Sequence, residues 1–176
     1  MKSLSRLSKL IRVILIVCIF ASCGIFEAWA ATATTTLVVS ATIVDTCTVT
    51  ATPLTFGTYS ASSASPNDAT ATVTVLYTVG TGFTVAFDAG TATGATLAQR
   101  RLQNAVLSSD RLNYNIYRNT ARSEIWGDGA KSTYTVIGTG TGVLTAVTLT
   151  AYGRIPTGQD VGLGAYADSI TVTLTY

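Results

Sequence analysis

The chain has 176 residues, 48% of them hydrophobic and only 11% charged, with no histidine and three cysteines. A charged fraction below half of the usual quarter argues against a disordered tail, a coiled coil or an ordinary cytosolic enzyme. Eleven basic residues against nine acidic ones give a formal charge of +2, and the excess is confined to the first residues of the chain.

Residues 1–30 carry the three zones of a secretory signal. Lys2, Arg6, Lys9 and Arg12 form a basic start, Val13 to Phe20 an unbroken apolar run, and Ala28-Trp29-Ala30 presents small residues where a signal peptidase reads them. The apolar stretch ends at Ile25, short of the roughly 20 residues that a membrane span needs, so the expected mature chain begins at Ala31 and has no membrane span. A second cleavage is legible at Phe20-Ala21-Ser22-Cys23-Gly24, which resembles the lipobox of bacterial lipoproteins and would leave Cys23 lipidated. Loss of the leader takes four basic residues and Glu27, leaving no basic patch for nucleic acid or anionic lipid. It also leaves Cys47 as an unpaired cysteine, expected to pack as a small apolar residue.

From Ala31 onward threonine and valine interleave, and their branching at Cβ suits a pleated sheet better than a helix. Period-two alternation predicts strands in chain order. The rows are Leu37, Val39, Ala41 and Ile43; Val73, Val75 and Tyr77; then Phe83, Val85 and Phe87. They continue with Leu112, Tyr114 and Ile116; Val147, Leu149 and Ala151 opposite Leu144, Ala146 and Thr148; and Ile170, Val172, Leu174 and Tyr176. Turn formers separate them at Pro66-Asn67-Asp68, Gly80-Thr81-Gly82, Asp88-Ala89-Gly90, Gly127-Asp128-Gly129 and Gly138-Thr139-Gly140-Thr141-Gly142. The last run lacks the lysine and the strand-to-helix context of a phosphate loop and reads as a hairpin turn. A helical turn is allowed only around Leu97 to Arg101. The mature length is enough for one domain, an all-β sandwich, to bury about two-thirds of its unfolded surface without disulfides.

The residue types of common catalysis are missing. Without histidine the usual general base and metal ligand are gone, and Cys47 alone cannot build a zinc site. Asp45, Asp68, Asp88, Asp110, Asp128, Asp160 and Asp168 mostly lie in or beside turns, where aspartate accepts hydrogen bonds from neighbouring amides. No enzyme activity, cofactor or metal is expected. Trp126-Gly127 is expected to anchor the core or a turn.

Four ordered stretches resemble the spore coat protein U domain, the fold unit of pilins from the archaic chaperone–usher pathway. They are Cys47-Thr48-Val49 with Leu54-Thr55-Phe56-Gly57; Val73 to Gly90; Arg101-Leu102 with Leu112 to Tyr117 and Trp126-Gly127; and Gly164 to Tyr176. The family pattern has a second cysteine where this chain has Tyr77, so the disulfide expected for Cys47 is missing. The resemblance implies a single Ig-like β-sandwich one strand short, completed by donor-strand complementation. It divides the chain into a leader (1–30), an N-terminal extension and candidate donor strand (31–45), and a pilin domain (46–176). Leu37, Val39, Ala41 and Ile43 would then be the donor row, and Ile170, Val172, Leu174 and Tyr176 the strand that lines the acceptor cleft and meets the chaperone. The implied partners are a periplasmic chaperone, an outer-membrane usher and further copies or related pilins. The implied destination, by way of the periplasm, is a surface pilus that supports adhesion and biofilm formation. The contrasting expectation is a free-standing secreted or lipid-anchored β-sandwich that binds ligands through its loops.

Overall fold

A computed structural model describes residues 33–44 and 46–176; the leader with Cys18 and Cys23, the two cleavage sites, and Asp45 lie outside the described residues. The chain divides into two units, one ending at Thr42 and the other running from Ile43 to Tyr176. In the first, residues 33–42 form neither helix nor strand and every side chain is exposed. The alternation there predicts a strand, but a strand needs a partner for its amides and carbonyls, and these residues pair with none among those described.

The second unit is all-β. Its strands are β1 (Cys47–Ala51), β2 (Asn67–Tyr77), β3 (Gly82–Phe87), β4 (Arg100–Asn104), β5 (Arg111–Tyr117), β6 (Val136–Thr139), β7 (Gly142–Ile155), β8 (Tyr166–Ala167) and β9 (Val172–Thr175). They form a six-stranded sheet in the order β1-β2-β7-β5-β4-β8 and a three-stranded sheet in the order β6-β3-β9. Every pairing between these strands is antiparallel. The larger sheet curls at β5, whose first half pairs with β4 and whose second half pairs with β7. Ig-like sandwiches have this architecture, with alternate side chains of both sheets meeting inside.

The inward rows are those the alternation marks. Val73, Val75 and Tyr77 from β2 face Phe83, Val85 and Phe87 from β3, all buried. Trp126 is fully buried between them; its ring stacks on Phe87 at 4.3 Å and its indole N–H donates to the Val85 carbonyl at 2.9 Å. It is thus an anchor of the core, as expected.

Three expectations need correction. The helical turn at Leu97 to Arg101 is absent: residues 97–99 bend and β4 begins at Arg100, because the Asn115 amide takes the Leu97 and Ala98 carbonyls that a helix would use itself. The glycine run at 138–142 is no hairpin turn, since β6 pairs with β3 in one sheet and β7 with β2 in the other. Gly140 makes that crossing possible, because a Cβ there would lie 2.3 Å from the Thr78 carbonyl oxygen. Asp68 sits within β2, where its carboxylate binds Arg154 by two hydrogen bonds at 2.7 and 2.8 Å and Arg122 at 3.2 Å. The hydrogen bonds from Arg154 hold its carboxyl below the usual range, against the opposing effect of burial.

Candidate functional site

The two sheets do not close against each other along one side. β1 is the last strand of the larger sheet, β9 is the last strand of the smaller one, and the two lie next to each other. Each pairs on a single side among the described residues, β1 with β2 and β9 with β3. Between them a cleft of about 220 Å³ opens into the core. Its walls are mainly apolar, with Ala71 and Val73 from β2, Phe87 from β3, Ile116 from β5, Ile170 from the segment that leads into β9 and Val172 from β9 itself, and they also include Thr52, Tyr114 and Asp168. Leu54 and Phe56 line the cleft from the chain that follows β1. They can pack so closely because Gly153 of β7 has no side chain; a Cβ there would lie 2.8 Å from both.

The sequence-predicted residues separate into two groups. Ile170 and Val172 line the cleft, Leu174 packs against the core, and all three are half-buried. Tyr176 is 65% exposed, with its ring edge-on to Tyr77 at 5.3 Å. Leu37, Val39 and Ile43 are 83 to 85% exposed, and Ala41 is exposed with them. Cys47 carries a free, half-buried thiol, and partial burial raises its pKa. It lies directly opposite Tyr77 in the β1–β2 register, so Tyr77 occupies the place from which a second cysteine would bridge to it.

A polar clamp closes one end of the cleft, and the sequence did not disclose its wiring. Asp168 Oδ1 accepts hydrogen bonds from the Thr91 amide and hydroxyl and from the Ala92 and Ser169 amides, at 2.8 to 3.2 Å. Its Oδ2 accepts from the Tyr114 hydroxyl at 2.8 Å. Burial, then the Asp168 charge, pushes the Tyr114 pKa far up, so this hydroxyl keeps its proton and donates. Gly90 has φ +86°, and a Cβ there would lie 2.0 Å from Asp168 Oδ2, so only glycine fits. Asp88 accepts from the Gly90 and Thr171 amides, both at 3.0 Å. Burial acts to raise its pKa, but these hydrogen bonds and the nearby Arg100 charge bring the net shift below the ordinary value.

Arg100 underlies the clamp and is completely buried. Its guanidinium donates to the Asp88 carbonyl at 2.8 Å, the Trp126 carbonyl at 2.7 Å and Asn115 Oδ1 at 2.6 Å. A planar fork of fixed donors suits three such acceptors, which a lysine could not reach together. Arg100 stands in the sequence as an ordinary basic residue beside Arg101; nothing local marks which of the two turns inward. Among the described residues no group of three or more Cys, Asp or Glu is placed to hold a metal ion, and no helix is long and apolar enough to cross a membrane.

An Ig-like β-sandwich left open between two edge strands, with an apolar cleft between them, is the class of protein that fold and site define. The chain belongs to the Spore Coat Protein U domain family, which it matches over residues 33–173. It is 36% identical over 87 residues to Protein U of Myxococcus xanthus, an alignment covering 48% of this chain and 46% of that protein. The chain thus matches about half the length of this curated relative. Its fold is similar to that of a chain in the crystal structure of the CsuC-CsuE chaperone–tip adhesion subunit pre-assembly complex, from the archaic chaperone-usher Csu pili of Acinetobacter baumannii. That likeness has a TM-score of 0.55 at 20% identity and covers 77% of this chain and 41% of the other.

Proposed function

We propose that this protein is a structural subunit of a surface pilus assembled by a chaperone–usher pathway through donor-strand exchange. The observation that carries the proposal is the open apolar cleft between β1 and β9, in a chain that also carries an exposed row of alternating apolar residues. An unpaired sheet edge beside an open core is a liability for a protein on its own and a binding site for an added strand. The row Leu37, Val39, Ala41 and Ile43 has the period of two that would place all four side chains in such a cleft.

In this account the leader directs export to the periplasm, a chaperone strand first covers Ile170, Val172, Leu174 and Tyr176, and an outer-membrane usher exchanges it for the extension of the next copy. A donor and an acceptor on one chain make a heterologous contact, which does not close and therefore grows into a fibre. Adhesion and biofilm formation are the roles such a fibre would serve.

The test is assembly of the mature chain and of its Val39→Asp variant. The exposed aspartate leaves the folded domain intact but cannot enter an apolar cleft without a steep desolvation cost. Fibres from the parent chain and none from the variant are expected; equal assembly of both would refute donor-strand exchange.

A further inference from the structure

Six of the large apolar side chains that stand exposed on the second unit lie at the two ends of the sandwich, apart from others such as Ile137 on β6. At one end Val79 caps the β2–β3 turn at 72% exposure, and Val143 and Leu144 follow at the start of β7 at 49% and 96%. These belong together: Gly142 pairs with Tyr77, and a Cβ on Gly142 would lie 3.1 Å from a methyl of Val79. Here β7 departs from its register with β2 between Val75 and Tyr77, leaving residues 143–146 out of register with β2, and the Thr141 hydroxyl donates to the Thr145 carbonyl at 2.8 Å to hold the bulge.

At the opposite end, beyond most of the length of β7, Val106 and Leu107 cap the β4–β5 turn at 83% and 48% exposure, and Leu163 of the β7–β8 connection is 98% exposed. A buried side chain presents all three. Asn104 accepts from the Val106 and Leu107 amides at 2.9 and 3.0 Å and donates to the Leu163 carbonyl at 3.3 Å. Rigidly held apolar tips at both ends of one molecule cost solubility unless something covers them.

We infer that these two tips meet between successive copies, Val79, Val143 and Leu144 of one packing on Val106, Leu107 and Leu163 of the next. The inference rests on the donor-strand reading for its occupant, a second copy of this chain. The extension joins β1 at Cys47, which pairs with Tyr77, so it leaves the domain at the Val79 end. A donor laid antiparallel to β9, the edge beside which its apolar row comes into register, and so parallel to β1, runs toward Ile170, at the Leu163 end of its acceptor. The register that pairs all four apolar positions sets Leu37 beside Tyr176, Val39 beside Leu174, Ala41 beside Val172 and Ile43 beside Ile170. Residues 44–46 then form a tether of about 10 Å, which holds the Val79 end of the donor against the Leu163 end of the acceptor.

The experiment compares fibres of the mature chain with those of Leu144→Asp, Leu163→Asp, the double variant Leu144→Asp with Leu163→Lys, and Val39→Asp. Both leucines are almost fully exposed, so thermal unfolding of the subunits serves as the control and should not change. Each single end variant should weaken association between copies roughly tenfold, as loss of one buried leucine contact implies, and so shorten the mean fibre about threefold, and the double variant should restore length by pairing opposite charges across the contact. Unchanged fibre length in both single variants, with assembly lost in Val39→Asp, overturns the end contact and leaves donor exchange standing. Fibres that survive Val39→Asp but fail in the end variants overturn donor exchange instead. Failure of the double variant to recover overturns the packing of the Leu144 tip on the Leu163 tip.

Discussion

Arg100 shows how a buried charge can serve a fold by bonding to carbonyls, with the Asp88 and Asp168 carboxylates near enough to favour its charge but not hydrogen-bonded to it. Its guanidinium donates to the carbonyls of Asp88, just past β3, and of Trp126, and it positions Asn115 at the point where β5 changes partners. Arg100→Lys keeps the charge and loses the fork, leaving at least one buried acceptor unmet. We expect it to cost about 2 to 3 kcal/mol in urea unfolding, nearly as much as Arg100→Ala, whereas Arg101→Lys changes stability by less than about 0.5. A loss at position 100 below that of position 101 would contradict this role. The aspartates were legible in kind but not in partner. Asp88 and Asp168 do accept from backbone amides, as turn-dwelling aspartates should, but Asp168 reaches Thr91 and Tyr114, far away in the chain. Such long-range pairing leaves no periodic trace. Asp68 misled for the opposite reason: its turn-like neighbours Pro66 and Asn67 sit at the very start of a long strand.

Strands with a buried face and an exposed face were readable, because alternation is the physical signature of that environment. β3, β5 and β9 lie where the apolar rows predicted, β2 starts at Asn67, ahead of its predicted row, and β7 extends its predicted row in both directions. The unpredicted strands β1, β4, β6 and β8 are short, and β4 carries Arg100 and Asn104 inward, which breaks any apolar alternation. β1 and β2 offer a test of their register. Tyr77→Cys places a thiol directly across from Cys47, a separation that a disulfide can span. The variant should lose its free thiols under mild oxidation, and its oxidised form should be more stable than its reduced form by about 3 to 4 kcal/mol, the value for a loop of about thirty residues. Two titratable thiols persisting after oxidation would disprove the register.

Over the whole molecule, low charge and high apolar content describe more than a good core. Ile170, Val172 and Leu174 stay half-buried, and Leu37, Val39 and Ile43 stand in solvent, so this chain carries an apolar cleft and an apolar row that its described residues do not bring together in a strand pairing. That complementarity could be anticipated only in part: the alternation at 37–43 promised a strand, while the openness between β1 and β9 depends on sheet order, which no local pattern encodes. The most direct measurement is hydrogen–deuterium exchange of the mature Val39→Asp chain, with and without a synthetic peptide of Thr34 to Val44. If the cleft receives this segment, the peptide will slow exchange in β1 and β9 and leave β4 and β8 unchanged. Exchange in β1 and β9 that is the same with and without saturating peptide would contradict the account.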